Sequence, residues 1–458
     1  MFQKFADLSL EDRIGKLGSE YYGMVFLGMA NAAYTDAGGG WRQAVADELA
    51  ATIMDTEYTP QLPELGQEDV SQPTQTVPGA WSLDWGPAFP ATFEARRSNL
   101  LYLASYRDEK GAPYFFVIGI RGTDISVGGE SLVKQIFEDF GAFTTVEWAT
   151  LFEKERQKLD PSVKTGPVPK GRVANGSFAA VEDLLGSLNT APEGQSQFSG
   201  TLQEALLHLL AQDNVAAGTP IVVTGHSLGG CQTQTIASYV QWLCPGNTVI
   251  PHAFAPSTAG NVEFIADPVF SRGGFWFNTL DLVPWGYVSI ERDSGVEFPD
   301  AVPDPEKCKR KELELGAEWA VRNLWTSFRW PKNDCGLTTG PELPDRAIIQ
   351  GLLVLGGWDL IRLGYARPDP DSCPNVLKKM DGTIPEVSVI QRFYKSMHPD
   401  GCLGPTSDAW ASSVVQLEWQ HFPPNYKILL WNNYHASMVG FDYKNYSVSA
   451  DSKRQLTT

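Results

Sequence analysis

The sequence predicts an α/β protein built on a mostly parallel central sheet, and three stretches carry that prediction. Pro220 to Thr224 is a short β-branched, apolar run suited to a strand buried on both faces. It passes through Gly225-His226-Ser227-Leu228-Gly229 into a stretch, Gly229 to Leu243, that spaces Ile236, Tyr239, Val240 and Leu243 along one face of a helix. Leu100 to Tyr106 and Tyr114 to Ile120 read as two strands joined at Asp108-Glu109-Lys110-Gly111, and Phe275 to Asn278 as another short strand. Strands alternating with helices are the pattern of a parallel sheet covered on both sides.

The strand-to-helix turn at Ser227 is more than a connection. In a Gly-x-Ser-x-Gly turn of this kind the backbone bends so sharply that the neighbours of the serine cannot carry bulk, which explains Gly225 and Gly229, and the serine Oγ is held above the strand end. The bare pattern is common, and the alternative is a buried serine in an ordinary loop. Strand, turn and helix in that order favour a nucleophile elbow, and with it an α/β-hydrolase fold. A serine hydroxyl is a weak nucleophile at neutral pH, so the chemistry requires a histidine base, a carboxylate to orient it, and donors for the oxyanion. In this fold the acid and then the histidine follow the serine along the chain.

The strand Tyr114 to Ile120 ends in Arg121-Gly122-Thr123-Asp124. An apolar strand ending in Arg-Gly-Thr, followed by Gly-His-Ser-Leu-Gly-Gly, resembles the class 3, or fungal-type, triacylglycerol lipases. His252 to Asn261 is similar to the family's Phe-Gly-x-Pro-x-x-Gly-Asn loop, with Ala255 in place of the first glycine, and Asp281-Leu282-Val283-Pro284 is similar to its Asp-[Ile/Val/Leu]-Val-Pro motif. The resemblance implies that Thr123 and Leu228 give backbone N–H groups to the oxyanion and that Asp281 is the catalytic carboxylate. After Ser227 come His252, His398, His421 and His435, and His252 precedes Asp281. His435 is preferred as the base. It follows an expected strand, Tyr426 to Trp431, and a turn at Asn432-Asn433, the setting of the family's histidine. His421, in Trp419-Gln420-His421-Phe422-Pro423-Pro424, is the runner-up, and its neighbours suggest an imidazole packed in a loop. The N-terminal stretch Tyr21 to Tyr34 reads as a tightly packed helix and resembles the family's opening helix.

This chemistry needs no metal or cofactor, and the six cysteines show no Cys-x-x-Cys pair. Cys231 and Cys244 read as small core residues. Cys308, Cys335, Cys373 and Cys402 could form two bridges if the chain is exported, in any of three pairings. With 458 residues, 43% hydrophobic and 20% charged, the chain can bury a substantial core. Its formal net charge of −18 argues against nucleic acid and strongly anionic membranes, leaving neutral or zwitterionic lipid open. The N-terminus lacks a basic start before an apolar run, so the default expectation is the cytoplasm, or export by a signal-independent route.

The expected organisation is a single elaborated domain over 1–458 with two additions. Residues 125–172 lie where the family carries its lid; Val133 to Phe152 reads as an amphipathic helix there, and a plain surface insertion is the alternative. Residues 290–420 form a cap-like insertion. Within it Ala347 to Tyr365 is apolar but interrupted by Asp359 and Arg362, shorter than the roughly 20 apolar residues of a membrane span, and reads as a core or cap helix or as an acyl-chain wall. The reading that results is a serine hydrolase of lipid carboxylic esters, working with a lipid ester substrate, with a lipid-water interface as one setting for it, and oligomeric state is open. A phospholipase or short-chain carboxylesterase would use the same triad. A non-catalytic effector or binding scaffold would keep the elbow without the activity.

Overall fold

A computed structural model of the chain describes residues 8–34, 47, 49, 80–89, 100–122, 144–189, 198–278, 281, 283–285 and 377–380, together with residues 421, 423, 425, 426, 429 and 430. Among them one eight-stranded sheet is built from β1 (Ala80–Phe89), β2 (Leu101–Arg107), β3 (Pro113–Ile120), β6 (Leu188–Asn189), β7 (Ile221–His226), β8 (Val249–Phe254), β9 (Gly274–Asn278) and β10 (Leu377–Met380). A separate ribbon pairs β4 (Thr145–Glu147) with β5 (Arg172–Ala174).

The strand order is β10-β9-β8-β7-β3-β2-β1-β6. From β3 to β10 every pairing is parallel, whereas β1, β2, β3 and β6 meet in antiparallel pairs. The β2–β3 hairpin turns where expected. The Asp108 carboxylate accepts from the N–H groups of Lys110 and Ala112, both at 2.8 Å, and Gly111 adopts φ +82°, a left-handed conformation open to glycine.

Side chains alternate between two apolar layers along each central strand. Leu101, Leu103, Phe116, Ile118, Ile221, Val223 and Val249 enter one, and Tyr102, Ala104, Phe115, Val117, Val222 and Ile250 the other. Such strands are apolar throughout because neither face meets water. The first layer is closed by α3 (Ala149–Arg156), α4 (Asn175–Leu185), α5 (Leu202–Leu210) and α6 (Leu228–Leu243). The second is closed by α1 (Leu10–Leu17) and α2 (Glu20–Ala32).

The helix α2 is apolar nearly all round, as a helix pressed into a core should be. It sits so close to β9 that a Cβ on Gly23 would fall 2.7 Å from the Trp276 ring. Two sheet side chains hydrogen-bond its backbone: Tyr102 Oη donates to Met29 O at 2.6 Å and Thr224 Oγ1 to Phe26 O at 3.0 Å. The remaining helix, α7 (Val262–Ile265), is one turn capped by Asn261.

Three expectations change. Of the helix expected over Val133 to Phe152, 145–147 pair instead as a strand with 172–174 and a helix starts at Ala149, while 133–143 lie outside the described residues. Trp148, Leu151 and Phe152 are fully buried, with Phe152 5.1 Å from the Trp242 ring and Trp148 Nε1 donating to Ser238 Oγ at 3.0 Å. Within the lid-like insertion Trp148, Leu151 and Phe152 thus pack into the core, whereas none of 156–172 is buried, and 125–143 lies outside the described residues. Of the cap-like insertion, 377–380 extends the sheet as β10, and the rest, including Ala347 to Tyr365, lies outside the described residues. Third, Tyr426, Leu429 and Leu430 are helical, not a strand. Their spacing of three and four puts all three into the α2-side layer. Among the described residues no helix is long and apolar enough to cross a membrane.

Candidate active site

The site forms where the parallel strands end, which is where ligands bind on open α/β sheets. Strand β7 runs out at His226, Ser227 takes φ 60° and ψ −125°, and α6 begins at Leu228. Such a conformation is costly for a residue with a side chain and persists only when its surroundings impose it. Here Ser227 N–H donates to Phe254 O at 2.9 Å, and Ser227 O accepts from Cys231 N–H at 3.0 Å. The two elbow glycines are required by contact: a Cβ on Gly225 would run into the Gly229 carbonyl, and one on Gly229 into the backbone of Ile120. The backbone of Gly122 passes as closely, 3.2 Å from Ser227 Cβ if Gly122 carried a Cβ.

Asp281 follows β9 and is 1% exposed. Its backbone N–H bonds Asn278 O at 3.0 Å, and its Oδ1 accepts from Val283 N–H at 3.0 Å, a local turn that aims the carboxylate inward. The imidazole that faces it is that of His421, 2% exposed, with Nδ1 at 2.8 Å from Oδ2 and 3.0 Å from Oδ1. Its other nitrogen, Nε2, is 2.8 Å from Ser227 Oγ. A carboxylate only accepts, so Nδ1 carries the proton and Nε2 offers a lone pair to the serine hydroxyl. That is the tautomer a general base needs.

The position expected for His435 is thus filled by His421, and His435 itself lies outside the described residues. His421 ranked second because its neighbours suggested a loop, yet Pro423, which lacks a backbone N–H, is helical there. His421, Pro423, Asn425 and Tyr426 are helical. Of the two residues expected at the oxyanion, Leu228 opens α6, where the first N–H groups have no carbonyl of their own helix to bond. Thr123 lies outside the described residues.

The family model of the class 3 lipases matches residues 118–267. These residues belong to the class 3 lipase family. The lipase segment runs from within β3 to the turn after α7, so it contains Gly122 and the whole elbow but ends before Asp281 and His421. Among solved structures, M37 lipase aligns at a TM-score of 0.51 and 16% identity, over 91% of this chain and 99% of that one. That likeness shows the fold, an α/β-hydrolase sheet with flanking helices. Lip2 lipase from Yarrowia lipolytica aligns at a TM-score of 0.33 and 14% identity, covering 57% of this chain and 72% of that one. A mutant form of MDLA from Penicillium cyclopium aligns at 0.30 and 15%, again over 57% and 72%. At these scores neither adds to the fold assignment. No curated protein matches the chain. The lipase match of this segment supports a carboxylic ester hydrolase of the lipase type.

Around the lipase elbow the structure places three further polar residues that the sequence did not single out. Tyr426 Oη donates to Asp281 Oδ2 at 2.7 Å and accepts from Asn278 N–H at 3.0 Å. Asp281 therefore accepts from His421, Tyr426 and Val283, so both of its buried oxygens are hydrogen-bonded. His226, fully buried beside the nucleophile, lies 2.6 Å by Nε2 from His421 O, and its Nδ1 lies 3.2 Å from Tyr34 Oη. Burial first, and the neighbouring His421 second, hold the His226 imidazole well below the usual histidine pKa, so it is neutral. A second thiol-bearing feature is silent: Cys231 and Cys244 are free and buried, and burial pushes their thiols up to about 11 and about 12.

Proposed function

We propose that this lipase cleaves carboxylic esters of lipids through an acyl-serine at Ser227, with His421 as general base and Asp281 as its partner. The observation that carries the reading is the unbroken chain of contacts from Ser227 Oγ to His421 Nε2 at 2.8 Å and from His421 Nδ1 to Asp281 Oδ2 at 2.8 Å. His421 takes the hydroxyl proton as Oγ attacks the ester carbonyl, and Asp281 steadies the imidazolium that forms. The tetrahedral oxyanion rests against the N–H of Leu228, at the positive end of the α6 dipole, and against that of Thr123; one such donor is worth about 3 kcal/mol of transition-state stabilisation. The histidine then returns its proton to the departing alcohol, and a water deprotonated by the same imidazole releases the acid. A lipid ester, presented at a neutral or zwitterionic lipid-water interface, is the substrate that the family and the acidic charge favour.

The test is hydrolysis of p-nitrophenyl esters from acetate to palmitate by wild type and Ser227→Ala. Turnover of the long esters, lost by at least about a thousandfold in the variant, is the expected result. Turnover that survives Ser227→Ala would overturn the acyl-serine mechanism, and turnover confined to acetate would overturn the lipid substrate.

A further inference from the structure

We infer that His226 is a positioning residue for the base, holding the main chain of His421 in place through a hydrogen bond from its ring, with Tyr34 bracing His226 from its other side. The inference rests on the triad reading above and adds to it a group that touches neither substrate nor the reacting atoms.

The contact has only one chemically consistent form. His421 O is a carbonyl and can only accept, so the proton must sit on His226 Nε2, and the short separation of 2.6 Å marks a strong bond. A neutral imidazole with its proton on Nε2 leaves Nδ1 bare, and the single O–H of Tyr34, which donates to His226 O at 3.1 Å, also lies 3.2 Å from Nδ1. The two imidazoles lie 4.8 Å apart by ring centroid. His226 therefore reaches the backbone of the base, while both ring nitrogens of His421 are committed to Ser227 and Asp281.

The arrangement answers a mechanical need. His421 comes from a helical segment separated by 140 residues from Asp281 and by 194 from Ser227, and that segment has to deliver an imidazole to within hydrogen-bond distance of a nucleophile fixed elsewhere. His226 is the residue just before the nucleophile and shares its rigid elbow. A bond from it to His421 O references the base directly to the serine. Misplacement of a base by a fraction of an ångström removes much of the advantage of having it. Charge matters as well: the reaction makes an imidazolium of His421, and a neutral neighbour accommodates that charge where a cationic one would oppose it.

The test compares His226→Leu, which deletes the ring N–H, with His226→Gln, which restores a side-chain N–H at similar reach, and with Tyr34→Phe. Steady-state ester hydrolysis is measured on proteins matched for foldedness, together with the rate of labelling by a serine-directed organophosphonate. We expect His226→Leu to lower kcat by about ten- to a hundredfold with KM within about twofold, organophosphonate labelling to slow in parallel, and His226→Gln to recover most of the loss. Tyr34→Phe lowers kcat by a smaller factor, about threefold, and decides the matter if His226→Leu does not fold. A folded His226→Leu with wild-type kcat, equal losses in the Leu and Gln variants, or an unchanged kcat in Tyr34→Phe would each overturn the inference. Failure of the triad itself reads out separately, as wild-type activity in Ser227→Ala or His421→Ala.

Discussion

His226, Ser227, Asp281 and His421 are each at most 2% exposed, yet they reach burial by different means. Asp281 is surrounded by donors and His421 bridges two partners, whereas His226 is buried as a neutral ring among Tyr34, His421 and the Tyr426 ring 5.7 Å away. That neutrality has a consequence for stability. In the unfolded chain this histidine titrates near 6.5, and in the folded protein it does so well below. As pH falls below about 6.5 the unfolded chain takes up a proton that the folded protein refuses, so stability falls, by up to about 1.4 kcal/mol for each pH unit, until the folded pKa is reached. Urea midpoints between pH 5 and 8 should therefore fall more steeply in the wild type than in His226→Gln. Equal slopes would mean that His226 is not neutral in the fold. The sequence displayed Ser227 through its glycines and Asp281 through a motif, because both lie in short stretches whose backbone demands particular residues. It showed His226 only as part of the elbow motif and Tyr426 only as the start of an expected strand, with no role for either. Their roles are set by partners more than a hundred residues away, and no local pattern records such a pairing.

At the scale of elements, the elbow and the helical segment near 421–430 carry the site between them, and they were legible to different degrees. Strand β7, the turn and α6 follow from period and composition alone, since an apolar β-branched run, tight glycines and a helical face all agree. The same consistency makes the elbow intolerant. Gly225→Ala places a methyl against the Gly229 carbonyl, which is backbone and cannot turn away. We expect it to destabilise the protein by about 3 kcal/mol or more, measured by urea unfolding, and a change under about 1 kcal/mol would show that the turn is looser than described. The helical segment was misread as a strand because Tyr426 to Trp431 contains aromatic and β-branched residues that suit either structure. The deciding signal was the helical spacing of Tyr426, Leu429 and Leu430. Ala255 is a related case at lower cost. It holds φ 49° where the family's motif has glycine, and its N–H bonds Trp276 O at 2.9 Å. Small size without glycine's freedom is enough there, because the loop is pinned from β9.

At the scale of the molecule, the proposed triad joins the two sides of one sheet. Ser227 is mounted at the head of α6, which closes one apolar layer, while His421 rides on a segment whose Tyr426, Leu429 and Leu430 pack in the layer closed by α2. Asp281 comes off the end of β9, between them. The α/β class and its central strands were readable because every central strand is buried on both faces and so reads as an uninterrupted apolar run. The burial of Trp148, Leu151 and Phe152 was not, because a short ribbon and a helix of eight residues leave little periodicity, and partners such as Trp242 and Ser238 lie far along the chain. The most direct test of the account is ester hydrolysis by His421→Ala beside His435→Ala, at matched foldedness. It predicts a loss of at least about a thousandfold in His421→Ala and activity within about tenfold of wild type in His435→Ala. Wild-type activity in His421→Ala, with the loss falling on His435→Ala, would contradict it.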